Sequence, residues 1–269
     1  MSIEYEVYAV QYARTLRPTR DFFIYPDPHD GPLPILYYVW VIKGPEGAIV
    51  VDTGFSAERA AVRKREHLRC PTAGLERLGV DAAAVKTVIL THLHYDHAGN
   101  IDKFPNAELI VQDEEVRFAT GRYVKYKPVQ LGFEADDVTA LVRENFRGRV
   151  RFVDGDAEVA PGIRVHLVGG HARGLQAVTV PTRRGLLVLA SDAAHFFENV
   201  TAQNPHPIVV DLPRTLEGYE RLLRMAPSPD HFIPGHDPAV MDLYPKLDGD
   251  PLTVVLSADP LAPSPLAAA

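Results

Sequence analysis

The feature that most constrains this chain is the run His92-Leu93-His94-Tyr95-Asp96-His97. Imidazole and carboxylate are the donors that a borderline cation such as zinc selects. The preceding VKTVILTH is apolar and β-branched, and reads as a buried strand. The following Ala98-Gly99-Asn100 opens a turn. The run therefore sits where a strand ends and a loop begins. A continuous strand sends successive side chains to alternating faces, whereas a loop can point them to one place. The fold must then bring further ligands to the same strand end.

Six positions do not comfortably place all these donors on one ion, so two ions are the more economical reading. Three later features can complete them. His171 lies in VGGHARG, at the end of a strand expected at 163–168, where glycines allow close backbone approach. Asp192 lies in VLASDAAH, just after another apolar strand. His236 lies in IPGHDP, after a third. The count closes with His92, His94 and His171 on the first ion and Asp96, His97 and His236 on the second. Asp192 bridges, because a carboxylate can span two cations. Each ion keeps an open position for a shared water. Two metals roughly 3.5–4 Å apart can turn such a water into hydroxide near neutral pH.

The rest of the chain supplies a plausible frame. Residues 4–10, 35–43, 48–51, 107–112, 150–153, 176–181 and 186–191 also read as strands, and HFIPGHD as a strand ending in a tight turn. Helices are expected from Ser56 to about His67, over Ala73–Leu78, within 113–147 and over 215–225. Residues of about 14–34 are rich in proline and are expected to form an irregular loop. The Pro/Ala-rich tail within 255–269 is expected to fray. Strands in both halves with helices between them suit packed sheets with helices outside, all in one domain.

Composition excludes several classes. A net charge of -7 over 269 residues argues against nucleic acid, which selects a basic face. No apolar stretch approaches the roughly 20 residues that span a bilayer. The opening MSIEYEVYAV does not read as a secretory signal, and Cys70, the single cysteine, cannot form an internal disulfide. The expected location is the cytoplasm and the expected partner a small molecule.

The motifs DTG at 52–54 and HLHYDH at 92–97, followed by His171, Asp192 and His236, resemble the metallo-β-lactamase superfamily in type and order. The resemblance spans roughly residues 35–240. It implies an αββα sandwich: two mixed sheets face to face, with helices on both outer faces. It also implies that the ligand set above is that family's dinuclear arrangement, with zinc the expected metal and iron, manganese or cobalt chemically acceptable. Asp52 then acts as a brace for the metal loop and not as a ligand.

Within the superfamily the chain looks most like the N-acyl homoserine lactonases, through HLHYDHAGN, the GGH at His171, the SDA at Asp192 and the GHDP at His236. That resemblance implies attack of a metal-bridging hydroxide on a lactone carbonyl, with Asp96 shuttling a proton to the leaving alkoxide. The chain departs from the pattern at one position. Such lactonases carry a substrate-contacting tyrosine three residues after the bridging aspartate, and here that position is His195. An imidazole can still donate a hydrogen bond, so His195 is a candidate catalytic residue; a purely structural role is the alternative.

Phe22, Phe23 and Tyr25 are either an apolar wall over the metals or packing for the sandwich edge, and would also suit a homodimer contact. Tyr123, Lys125 and Tyr126 are either part of a lid or solvated surface. His29, His67, His166, His206 and His231 have no ligand context, and Cys70 reads as a small hydrophobe. The alternatives to lactone hydrolysis keep the two-metal site and change the bond: another ester, a cyclic amide, a thioester or a phosphoester. A phosphoester would call for a basic pocket, and no Arg/Lys cluster lies at the motifs. A metal-free binding module would need missing ligands.

Overall fold

The computed structural model describes residues 3–29 and 31–268. In chain order, β1 (Glu6–Pro18), β2 (Pro32–Gly44), β3 (Gly47–Val51), β4 (Glu66–His67), β5 (Thr87–Ile89), β6 (Glu108–Gln112) and β7 (Val150–Val153) belong to one sheet. The second sheet takes β8 (Ala157–Ala160), β9 (Ile163–Leu167), β10 (Gln176–Thr182), β11 (Gly185–Ser191) and β12 (Phe232–Pro234). The chain then returns to the first sheet with β13 (Lys246–Leu247) and β14 (Asp250–Val255). Both sheets are mixed. β3, β5, β6 and β7 run parallel while β1–β2 and β2–β3 are antiparallel, and β11–β12 is a parallel pair in an otherwise antiparallel sheet.

Strand alternation explains the layering. In β2, Tyr38, Trp40 and Ile42 join the core between the sheets, with Val165, Val178 and Leu189 of the second sheet. The intervening Tyr37, Val39 and Val41 face the other way, into a second core under the helices, with Leu75, Phe104 and Leu141. Ile89 and Ile110 point inward, while Val88 and Leu109 point outward. A sheet buried on both faces selects unbroken apolar runs such as VWVI, which is why these strands lack polar alternation. On the second sheet, the helix Leu212–Met225 docks Tyr219 and Leu222. The result is the αββα arrangement expected from the motifs.

Three expected boundaries differ. The irregular segment is shorter at both ends than 14–34: β1 and β2 pair from Glu6↔Lys43 out to Pro18↔Pro32, across a bulge at Gln11/Ala13, so the strands take 14–18 and 32–34. Prolines at strand ends remove no interior ladder bond, so they did not stop the hairpin. The helix that Ser56 caps ends at Arg63, because Lys64 turns left-handed (φ 55°) and the chain leaves as β4. The tail is not frayed up to residue 268. Leu261 N–H bonds the Leu243 carbonyl, Ser264 N–H bonds Asp230 Oδ1, and a 3-10 turn covers Pro265–Ala268. Ala269 lies outside the described residues. The helical stretch 113–147 divides into Asp113–Ala119, Lys127–Gln130 and Ala135–Phe146. Among the described residues, no helix is long and apolar enough to cross a membrane.

Candidate metal centre

The strand order brings the ends of β3, β5, β9, β11 and β12 to one rim. Asp52 follows β3, His92 follows β5, His171 follows β9, Asp192 follows β11 and His236 follows β12. Two positions there accept a conformation that side chains normally avoid: Asp52 has φ 63° and Ser191 has φ 48°. Such residues persist where the surroundings over-determine them. Asp52 is held by its N–H on the Ile89 carbonyl and by three groups on its carboxylate.

All seven residues expected as ligands converge, and all are buried. His92, His94 and His171 each offer a nitrogen within 4.8 Å of the others, and so do the donors of Asp96, His97 and His236. Asp192 sits between these groups. Its Oδ2 lies 3.3 Å from His171 Nε2 and 3.9 Å from His92 Nε2, while its Oδ1 lies 3.2 Å from His97 Nε2 and 3.0 Å from His236 Nε2.

Hydrogen bonds outside the cluster fix which nitrogen faces inward. His97 Nδ1–H donates to Asp52 Oδ2 at 2.7 Å, and His236 Nδ1–H donates to the Leu36 carbonyl at 2.7 Å. Thr91 Oγ1 donates to Asp52 Oδ2, so it accepts from His92 Nδ1–H at 3.1 Å. Each of these rings therefore turns its Nε2 toward Asp192. His92 Nε2, His97 Nε2, His236 Nε2 and Asp192 Oδ1 are all buried without a hydrogen-bond partner. Orphaned buried polar atoms are costly and rare. Four buried polar atoms converging without a partner fit cations, and outward-bonded imidazoles are how proteins orient metal ligands.

The electrostatics agree. Burial pushes His92 and His171 well below the ordinary histidine value and His94 down to about 4. Burial also opposes charge on His97 and His236, yet Asp192, with Asp52 and Asp96 beside His97 and Asp96 beside His236, outweighs it and raises both. The Asp192 carboxyl stays far below its usual range despite burial, held there by His97, His236 and His195. One half of the cluster thus keeps its imidazoles neutral while the other calls for positive charge.

The model of the metallo-beta-lactamase superfamily matches residues 34–236, which contain every strand end just described. The chain belongs to that superfamily. Among relatives of this superfamily protein, an N-acyl homoserine lactonase of Bacillus cereus is 29% identical over 189 residues, covering 64% of this chain and 69% of the relative. The N-acyl homoserine lactonase AttM of Azorhizobium caulinodans is 27% identical over 243 residues, covering 82% and 88%. A crystal structure described as a quorum-quenching N-acyl homoserine lactone lactonase superposes with a TM-score of 0.73 at 23% identity, covering 89% of this chain and 94% of that one.

Around the metallo-beta-lactamase cluster lie two adjoining cavities. The nearer, of about 240 Å³, is lined by His94, Asp96, His171, Asp192, His195 and His236 together with Phe22, Tyr37, Tyr95, His206, Arg17, Arg63 and Arg65. The farther, of about 460 Å³, shares His94, Leu131, His171 and Ile208 with it and is walled by Phe118, Tyr123, Val129, Phe133 and Val210. Phe22 therefore does line the site, while Phe23 packs on Phe196 and Tyr25 is exposed. Tyr123 belongs to the apolar wall, whereas Lys125 and Tyr126 form a surface cation–π pair.

His195 joins the cluster, with its Nε2 3.1 Å from Asp192 Oδ2. Three contributors were missed. His206 stacks on His195 with ring centroids 4.0 Å apart. It accepts the Ile208 N–H on Nδ1, which leaves its proton on Nε2. Its flanking PHP gave no ligand spacing to detect. Glu115 is fully buried and accepts Leu93 N–H and Gly174 N–H, tying the loop of His92 and His94 to that of His171. In the sequence it is one acid among three at a helix start. Arg17, Arg63 and Arg65 reach the cavity from β1 and from the end of the helix Ala57–Arg63, outside the motifs, where the sequence showed no Arg/Lys cluster.

Proposed function

We propose that this protein is a dinuclear metal-dependent hydrolase that opens N-acyl homoserine lactone or a related lactone, and so a quorum-quenching enzyme. The observation that carries the reading is the set of unpartnered buried polar atoms on the floor of a cavity whose second chamber is apolar. His92, His94 and His171 would hold one ion, and Asp96, His97 and His236 the other, with Asp192 between. Zinc suits these donors, as do iron, manganese and cobalt. When bound, such a pair of cations supplies a water acidic enough to ionise near neutral pH and polarises the carbonyl.

The chain's own residues then have defined tasks. The apolar chamber takes an acyl chain, and its share of the wall with His94 and His171 places the lactone ring over the cluster. Asp96, fixed through its carbonyl by the Tyr12 hydroxyl at 2.8 Å, holds the proton lost by the attacking water. It delivers that proton to the ring oxygen as the acyl carbon–oxygen bond breaks, so water divides between the new carboxylate and the new alcohol. His195 orients Asp192 through its Nε2 and lies on the cavity wall.

Zinc-loaded protein should open a panel of lactones in a pH-stat assay, with longer acyl chains favoured by the apolar chamber. Absence of turnover on every lactone would overturn the reading. Metal analysis should return two equivalents. Well under one equivalent, with no gain on adding zinc, would point to a binding module. A second reading, phosphoester hydrolysis, draws on the arginines in the nearer cavity. Arg17 pairs with Asp21, and Arg63 shares Glu134 with Arg59, whereas Arg65 has no carboxylate at ion-pair distance among the described residues.

A further inference from the structure

Arg65 has an unusual position for a guanidinium. The left-handed Lys64 ends the preceding helix, Arg65 N–H returns to the Ala60 carbonyl at 2.8 Å, and the side chain is delivered to the nearer cavity. Its Nε contacts the Tyr95 hydroxyl at 3.4 Å, and Nη1 donates to the Arg63 carbonyl at 3.0 Å. Among the described residues, Nη2 has no acceptor and no carboxylate lies within ion-pair distance of Arg65. The other arginines of this wall have partners. Arg17 pairs with Asp21 at 2.7 Å; Arg63 pairs with Glu134 at 2.6 Å and lies over the Tyr95 ring at 3.7 Å.

The groups beside Arg65 are also donors. Tyr37 and Tyr95 place their hydroxyls 3.4 Å apart, both buried and both on the cavity wall. Between them they have at most one hydrogen bond to exchange, so one phenolic proton is left to give. Arg65 is half-buried with no directly paired carboxylate, and a planar guanidinium beside a free phenol matches the geometry of an oxyanion.

We infer that Arg65, with Tyr95 and Tyr37, forms a subsite for an anionic oxygen, of carboxylate or phosphoryl type, in the cavity over the metal ligands. Two sources share that chemistry. One is the carboxylate that ring opening creates; the other is an acidic group already carried by the substrate. The first rests on the hydrolase reading above, while binding of the anion itself does not require turnover.

Calorimetric titration of the zinc-loaded protein tests this with two pairs of probes. The first pair is ring-opened N-hexanoyl-homoserine and its uncharged primary amide. The second is a lactam analogue whose acyl chain ends in a carboxylate, and its methyl ester. Losing one charge-assisted hydrogen bond corresponds to about tenfold or more in affinity. Arg65→Met should therefore weaken at least one acid about tenfold, while its neutral partner moves less than twofold, and Arg65→Lys should recover part of the loss. A loss on the ring-opened acid assigns the subsite to the product carboxylate, and a loss on the acid-tailed lactam assigns it to an acidic substrate. A change of less than twofold on both acids in Arg65→Met, or in Arg65→Gln should the methionine variant not fold, overturns the inference. Failure of the lactonase reading would show separately, as absent turnover with this binding intact.

Discussion

Glu115→Gln isolates the tie between the two ligand loops. Glu115 is fully buried; Oε1 accepts from Leu93 N at 3.0 Å and Oε2 from Gly174 N at 2.8 Å. Burial raises its carboxyl from 4.5 to about 7, an effect the two N–H groups only partly offset. The folded state thus binds this proton more tightly than the unfolded chain. The contribution to stability is fully present below pH 4.5 and is lost as pH rises through 7. Linkage over that shift gives about 2 kcal/mol less stability at pH 8 than at pH 5.5 from this group alone. Glutamine cannot titrate, and its amide sets an N–H against one of the two backbone donors, at a cost of about 1–3 kcal/mol.

Urea unfolding of chelator-treated protein, at pH 5.5 and pH 8, removes metal release from the comparison. The stability difference, wild type minus Glu115→Gln, should shrink by about 2 kcal/mol on going from pH 5.5 to pH 8. Other titrating groups are common to both proteins and cancel to within about 0.5 kcal/mol if they act independently. A difference that stays constant within that margin would refute the reasoning. It would mean that Glu115 is already ionised at pH 5.5 and that its pairing with the two amides outweighs burial.

Three further substitutions probe the centre. Asp52→Asn removes the anionic acceptor for His97 Nδ1–H, so zinc affinity should fall about 10–100-fold in competition with a chromophoric chelator. Gly132→Ala brings a Cβ into steric overlap with the His94 ring, so bound zinc measured by mass spectrometry should drop below two equivalents. His206→Phe keeps the stack on His195 but removes the Nε2–H. Should that hydrogen meet the substrate, kcat/KM falls about tenfold, the worth of one hydrogen bond, and unchanged kinetics would make His206 packing alone.

The candidate metal cluster was legible because its residues share one local rule. Each follows an apolar strand, and parallel neighbours such as β3 with β5 and β11 with β12 end at the same rim. A donor read immediately after such a run is thereby placed, whatever the length of chain between runs. Strand faces were not legible, since the unbroken apolar run around Val39 and Trp40 carries no polar alternation although the two residues enter different cores. Nor were ends set by a single backbone torsion. Lys64 carries no proline or glycine signal, yet its left-handed turn ends the helix at Arg63 instead of near His67. The tail was misjudged because its order depends on Asp230 and Leu243, contacts that no local composition reports.

The residues over the cluster obey no shared rule, and this separates chemistry from selectivity in the molecule. His206 is aimed by one backbone hydrogen bond from Ile208, Arg65 by the turn at Lys64, and Phe22 by a loop outside both sheets. None is fixed by strand pairing, so each can change without disturbing the register that positions Asp192 between the imidazoles. His195 stands at the boundary. It is bound to Asp192 on one side and stacked on His206 on the other, joining the rigid floor to the variable wall. A histidine there turns its Nε2 to the Asp192 carboxylate, and beside it His206, its Nδ1 engaged by Ile208 N–H, also lines the cavity. The histidine at position 195 is therefore one half of a stacked pair, and both halves line the cavity.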